Sequence, residues 1–295
     1  MVVADTSLTA DERILTRLDL LDLGFSPKTI TKGVREGTIT RLRRDRYVLT
    51  DESDRVRTAV RIGGRLTCVS AIAEISRDAF VFAEDHIHVH AERRSSRLRS
   101  ADDPKNRWSR AGATGVRVSW GDLTEPPAGR HLVAIVDSVR VLIRCRPERE
   151  AVATLDSLLR MGLITMPQVR EAVASLPARW RRILALLDPR AESGPESLMR
   201  LILCDLGVEF SLQVKIVGVG RVDFVVDGFL IIECDSKAFH QGWEKQRQDR
   251  MRDLAAAAQG YFTLRVLAED LLYRPQRVAD AVRGLLEARA ASLGR

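Results

Sequence analysis

The sequence predicts an α/β multidomain protein: an N-terminal winged helix-turn-helix, an α/β middle region, and a C-terminal unit in the order α-β-β-β-α-β-α built on a mixed sheet. Three observations carry this expectation. The 295 residues suffice for about two domains. The 45% apolar and 29% charged content is that of a folded globular chain. The hydrophobic periodicity switches repeatedly between helical and strand spacing.

Near the N-terminus, Ile14, Leu15, Leu18, Leu21 and Leu23 recur at near-helical spacing and Gly24 is placed to cap that helix. Ser26-Pro27 then supplies the N-cap and first position of a second helix. Residues 38–49 alternate as two short strands turning near Asp45, so residues 1–50 read as a winged helix. Between Lys28 and Arg46, the seven basic residues Lys28, Lys32, Arg35, Arg41, Arg43, Arg44 and Arg46 meet only two acids, Glu36 and Asp45. Lys28, Lys32 and Arg35 fall on one helix face. Cations so placed suit the phosphates of double-stranded DNA, with a wing arginine able to enter the minor groove. The net charge of +7 points to the same partner, since Lys and Arg outnumber Asp and Glu 34 to 27 over residues 1–200 and balance at 13 each over 201–295.

Residues 51–190 mix signals. Helical stretches around 69–77 and 149–160 bracket strand-like runs at 87–91, 115–120 and 132–136. His86, His88 and His90 alternate along the first of these strands, a pattern that offers a metal or pH-sensitive site but, with no further ligands nearby, reads more simply as partly exposed strand histidines. The four cysteines, Cys68, Cys145, Cys204 and Cys234, are widely spaced, which argues against a zinc ribbon or disulfide framework and leaves them as buried small hydrophobes.

In residues 191–295, Ser193 caps a helix that Pro195 begins. Strands follow at 209–215, 221–226 and 229–235, then a helix over 243–258 stopped by Gly260, a strand at 261–267 and a helix over 275–291. The second and third strands end in acids: Asp223 lies opposite the far end of the strand that carries Glu233 and Asp235. Strand alternation puts Glu233, Asp235 and Lys237 on one face. Acids packed this densely at apolar strand ends need a cation or raised pKa values. An all-carboxylate set favours Mg²⁺ or Mn²⁺ over zinc, and Lys237 beside it is placed to position or deprotonate a water.

Asp223, the interval to Glu233, and Glu-x-Asp-x-Lys resemble the PD-(D/E)XK nuclease superfamily, and more closely its very-short-patch-repair (Vsr-like) branch. The resemblance implies a restriction-endonuclease-like αβββαβ fold and Mg²⁺-dependent hydrolysis of DNA. It adds Glu196 on the first helix, Gln213 before the first motif strand, His240, and Asp249 with Arg252 or Arg250 as supporting residues. Two registers fit: Asp235-Ser236-Lys237 is the acid-x-Lys element, or Glu233 and Asp235 are the metal ligands with Lys237 alongside. The basic N-terminal segment with Ser-Ala-Ile-Ala at 70–73 resembles AbiEi-like antitoxin winged-helix proteins, some of them transcriptional regulators. The sequence therefore leads to an endonuclease of restriction, repair or defence, with an AbiEi-like regulator or antitoxin whose nuclease fold is inactive as the alternative.

Gly218-Val219-Gly220 lacks a phosphate-loop pattern, so no nucleotide cofactor is expected. No apolar run approaches the roughly 18 residues of a membrane span. The first residues have neither the basic nor the apolar region of a secretory signal, so the expected location is the cytoplasm. A homodimer on DNA is the expected form for double-strand cutting.

Overall fold

The structure is a computed structural model that describes residues 13–49, 51–83, 85–103, 105–109, 115–235 and 243–294, the side chains of 243–246 excepted. It is a mixed α/β protein. Its chain divides into two compact units, one of residues 1–146 and 166–180, the other of residues 147–165 and 181–295.

The first unit opens with α1 (Arg17–Asp22), capped reciprocally by Thr16 and Asp19, and α2 (Pro27–Glu36), capped by Ser26 and ended by Gly37. The short strands β1 (Thr40–Arg43) and β2 (Arg46–Val48) pair antiparallel. The helix expected from Ile14 to Leu23 is shorter and buries a different face. Ile14 and Leu15 precede it, and Leu15 bridges Tyr47 in extended backbone. Leu20 is the buried residue, while Leu18 is 65% exposed and Leu23 56%. The near-helical spacing there spans a helix and its lead-in, which do not share one face. The apolar cluster that holds α1, α2 and the hairpin together is Leu15, Leu20, Ile30, Ile39 and Tyr47.

After α3 (Asp54–Ile62) come β3 (Arg65–Leu66), α4 (Cys68–Ile75), β4 (Ile87–Glu92) and β5 (Val116–Gly121), with strand order β3-β4-β5. β4 is antiparallel to β3 and parallel to β5. The strand expected at 132–136 is absent: Leu132 makes one isolated bridge to Leu66, and the chain turns directly into α5 (Ile135–Cys145). A short apolar run does not reveal by itself whether it is strand or buried helix, and here Val136, Val139, Leu142 and Ile143 form a buried helical stripe.

The second unit begins with α6 (Glu148–Arg160); α7 (Met166–Ala174) returns to the first unit, and α8 (Ile183–Leu186) resumes the second. Next come α9 (Gly194–Leu206), β6 (Phe210–Ile216), β7 (Gly220–Val226), β8 (Leu230–Asp235), α10 (Trp243–Ala258), β9 (Phe262–Leu267), α11 (Ala268–Tyr273) and α12 (Pro275–Leu293). The sheet order is β6-β7-β8-β9; the first two pairings are antiparallel and β8 with β9 is parallel. Phe224, Leu230 and Ile232 are fully buried, and each such side chain contributes about 1.5–3 kcal/mol relative to exposure. On the sheet, Ile216, Val222 and Ile231 pack with Ala256 of α10.

α9 is buried along most of its length and packs against α6, α11 and α12. Sequence reading starts this domain at 191, yet α6 supplies part of its core. The two helices are joined by Asp156 and Arg200, whose side chains are 1% and 5% exposed and 2.9 Å apart. Arg200 also donates to the Leu186 carbonyl, and Asp156 accepts from the Asp188 N–H at 2.8 Å. Among the described residues no helix is long and apolar enough to cross a membrane.

Breaking that pair leaves a buried guanidinium without its counter-charge, so Asp156→Ala is expected to lower stability by about 3–5 kcal/mol. Arg182→Ala removes a partner of Glu148 that is 73% exposed and should cost less than about 1 kcal/mol. Urea denaturation of the two variants side by side checks the ranking.

Candidate functional site

The acids singled out by the sequence converge in the second unit around the ends of β7 and β8. Glu196 is the third residue of α9. Ser193 Oγ accepts from the Glu196 N–H at 3.3 Å and donates to Glu196 Oε1 at 2.8 Å. Glu196 Oε2 accepts from the Glu192 N–H at 2.8 Å and from Gln213 Nε2 at 2.7 Å. Ser193 therefore caps the helix, and the Glu196 carboxylate ties the residues that lead into it to Gln213 of β6. Burial, and secondarily the charge of Asp223, push its pKa up.

Gln213 occupies left-handed backbone, φ 54°, in the middle of β6. That conformation costs a non-glycine residue about 1–3 kcal/mol and persists only where surrounding contacts enforce it. Its amide bridges two groups, donating to Glu196 and accepting from Arg221 Nε at 2.6 Å. Arg221 also pairs with Glu192.

Main-chain pairing of β7 with β8 runs Val226–Leu230, Val225–Ile231, Phe224–Ile232 and stops there. Beyond it, side chains replace the ladder. Asp223 Oδ2 accepts from the Cys234 N–H at 2.8 Å, and the Glu233 carboxylate accepts from the Asp223 backbone. Burial is the leading cause that raises the pKa of both Asp223 and Glu233; the charge of Asp235 adds to the first and that of Asp223 to the second. The Cys234 thiol is pushed well up by burial and then by Asp223, Glu196, Glu233 and Asp235, so four carboxylates act on one point.

Three arginines partly offset this charge. Arg252 of α10 donates to Glu233 Oε1 at 3.0 Å and to the carbonyls of Val219 and Arg221 at 2.9 and 2.6 Å. Of the helical residues that the resemblance implied, Arg252 is thus the one that reaches a strand acid, with Asp249 4.0 Å from it. Arg265 of β9 lies 3.7 Å from Asp235 and 2.8 Å from Asp253. Sequence gives no role to Arg221, which opens the β7 run that carries Asp223, nor to Arg265, which lies in no motif. Lys237 and His240 lie outside the described residues.

An oxygen-only donor set of half-buried, mutually repelling carboxylates suits a hard cation. Among the described residues, no three of these carboxylates bring oxygens within 4.8 Å of one another. The set therefore fits an ion held by one or two carboxylates and completed by water and substrate oxygens, the usual habit of Mg²⁺.

In the first unit, Lys28, Lys32 and Arg35 stand exposed on α2, and Arg41 and Arg44 on the hairpin. Arg43, Arg44 and Arg46 line a cleft of about 790 Å³ together with Arg65, Arg97, Arg99 and Arg130. Arg97 and Arg99 belong to the arginine-rich loop at 92–110, which the sequence offers either as an extension of a DNA surface or as a solvated loop, while Arg65 and Arg130 come from two further segments. Three of the seven are already paired with acids, Arg46 with Asp45, Arg65 with Glu92 and Arg130 with Asp19. Burial lowers the Arg43 pKa, and the charges of Arg46 and Arg99 lower it further. Arg43 can lie there because Gly63, the αL cap of α3, has no side chain: a Cβ would sit 1.5 Å from its Nη1. The carboxyl end of α3 then offers this cation a favourable dipole.

Comparison with known proteins adds relatives. Two curated uncharacterized proteins of Mycobacterium tuberculosis, MT2308 of strain CDC 1551 and Rv2248 of strain H37Rv, are each 34% identical over 184 residues, covering 59% of this chain. The match spans 65% of those relatives' length, just under two thirds. No known family profile matches the chain, and no solved structure matches it.

The raised pKa values give a pH dependence with a definite sign. The folded state keeps protons on Glu196, Asp223 and Glu233 that the unfolded chain releases at the ordinary carboxylate pKa. Stability from this cluster is therefore greatest at or below that range, falls as pH rises to the raised values, and stays reduced at neutral pH. Asp223→Asn keeps an acceptor for the Cys234 N–H but removes the charge, so it should melt above wild type at pH 7 and flatten the slope. Thermal melts across pH measure this.

Proposed function

We propose that this protein is a metal-dependent DNA endonuclease that docks on duplex DNA through its first unit and hydrolyses phosphodiester bonds in its second. The observation that carries the reading is the pair Asp223 and Glu233, half-buried carboxylates held where the β7–β8 ladder gives way to side-chain hydrogen bonds. The strand order β6-β7-β8-β9, with its single parallel pair and α9 leading in, supports a restriction-endonuclease-like core of the PD-(D/E)XK, Vsr-like kind. The α1-α2-β1-β2 order and the arginine cleft support a DNA-binding winged helix.

When bound, Mg²⁺ or Mn²⁺ orients the scissile phosphate, lowers the pKa of the attacking water and offsets developing charge. The chain's own residues prepare for that. The Cys234 N–H aims the Asp223 carboxylate, Arg252 fixes Glu233, and the Glu196–Gln213–Arg221 chain of hydrogen bonds braces β6 and β7 beneath them. Lys237 is assigned the water-positioning role, with Asp235 as a further ligand and His240 in support, on the sequence pattern alone. The protein works in the cytoplasm, in restriction, repair or defence, and a double-strand break calls for two copies on the DNA.

A second reading, an AbiEi-like regulator or antitoxin with an inactive nuclease fold, has its own support. Glu233 and Glu196 are already satisfied by Arg252 and Gln213, and the arginine cleft alone would serve an operator-binding protein.

Supercoiled plasmid with Mg²⁺ or Mn²⁺ separates the two. Metal-dependent nicking is expected, abolished by EDTA and reduced at least about 100-fold in Asp223→Ala and Glu233→Ala, with DNA binding retained. No nicking of any plasmid, modified or unmodified, together with tight binding to one duplex, would establish the regulator instead. In either case Arg44→Ala should weaken duplex binding and reduce the slope of log affinity against log salt by about 0.9; a slope unchanged by the substitution would remove the cleft from the interface.

A further inference from the structure

Cys68 opens α4, His88 lies in β4 and Cys145 closes α5, and one ligand atom of each falls within 4.8 Å of the other two. The two sulfurs are 2.8 Å apart, and Cys145 Sγ is 3.9 Å from His88 Nδ1. Sequence reading treats the cysteines as scattered hydrophobes and the histidines as lacking ligands. The fold corrects both, because it closes separations of 77 and 57 residues that no local spacing reveals.

The three backbones are fixed by contacts of their own. The Thr67 N–H donates to the His88 carbonyl at 3.0 Å and the His88 N–H to Ser70 Oγ at 2.8 Å, two bonds that straddle Cys68. The Leu66 N–H donates to His131 O and the Val133 N–H to Leu66 O, which ties the same stretch to the lead-in of α5. Cys68 itself adopts φ 55°, a left-handed conformation of the kind that clusters at functional sites when the surroundings enforce it.

We propose that Cys68, His88 and Cys145 form a binding site for a borderline-soft divalent cation, with zinc the best fit. Two thiolates and an imidazole are zinc donors, whereas hard ions take oxygen. Two thiolates also balance the dication's charge, as a buried site requires. Bonds of about 2.3 Å in a tetrahedron set the sulfurs about 3.8 Å apart, so loading parts them by about 1 Å. The separation between Cys145 and His88 is already close to a tetrahedral edge.

Three protein ligands leave a fourth position. Cys68 and His88 are buried, but Cys145 lines a cleft of about 810 Å³ together with His90, Asp137 and Arg140. His90 Nε2 is buried without a hydrogen-bond partner among the described residues. An open coordination position with an unsatisfied imidazole lining the same cleft is the arrangement of a zinc that binds a small ligand or water rather than one that only staples the fold. This site is independent of the carboxylates of the second unit.

The test uses the full chain, reduced, stripped with chelator and titrated with Co²⁺ as a spectroscopic probe. Wild type is compared with Cys145→Ser and His88→Gln, and with Cys204→Ser, which removes an exposed thiol of the second unit. Sulfur-to-cobalt charge-transfer bands should saturate at one ion per chain and be displaced by zinc. Affinity should fall at least about tenfold in the two ligand variants and stay unchanged in Cys204→Ser. Zinc should also protect Cys145, the thiol of the pair that lines the cleft, from a thiol reagent, a readout that needs no variant to fold. Absence of the bands in folded wild type, or unchanged thiol reactivity with zinc, overturns the proposal. So does a Cys68–Cys145 disulfide that takes up no metal after reduction.

Discussion

Asp156 and Arg200 form the contact on which the second unit depends. Burial pushes the Asp156 carboxyl towards its neutral form, and Arg200 works against that. The pair joins α6 to α9, and through the Asp188 N–H and the Leu186 carbonyl it also fixes the segment that follows α8. Arg200 lies one helical turn beyond Glu196, so anchoring it sets the height and rotation of the helix start where Glu196 meets Gln213. A surface pair would not suffice, because only a desolvated one is specific enough to choose a single helix register.

The two units concentrate opposite charges. Burial, and then the charges of Arg46 and Arg99, lower the Arg43 pKa in one cleft, and burial, and then neighbouring carboxylates, raise Asp223 and Glu233 at one sheet end. Each arrangement costs folding energy that an incoming ligand of opposite sign recovers. A polyanion would relieve the first and a cation the second, and a nucleic acid with its counterions presents both.

Much of the second unit was legible in the sequence. The alternation at 221–226 and 229–235 marked β7 and β8, Ser193 with Pro195 marked the start of α9, and the acids at 223, 233 and 235 fell where the register placed them. Less visible was what each acid does locally: Glu196 holds the lead-in to its helix at Glu192 and Ser193, and Asp223 and Glu233 stand in for missing ladder bonds. In the first unit the boundaries of β1, β2, β4 and β5 were legible, but the face of α1 and the helix in place of a strand after Leu132 were not, since apolar runs of a few residues fit either period. The arginines at 65 and 130 and the Cys68–His88–Cys145 group were hidden for a different reason. They assemble from distant segments, and only the fold states which of many arginines, cysteines and histidines become neighbours.

The order of segments along the chain bears on how the protein is made. Residues 147–165 belong to the second unit and 166–180 to the first, so neither can be completed by the ribosome before the other has begun. Asp156 emerges 44 residues ahead of Arg200, a wait of roughly 2–9 s at about 5–20 residues per second. During that interval α6 exposes the apolar face that α9 will cover, while α7 is already free to finish the first unit. Synthesis thus closes the arginine-bearing unit first and assembles the acidic one after it.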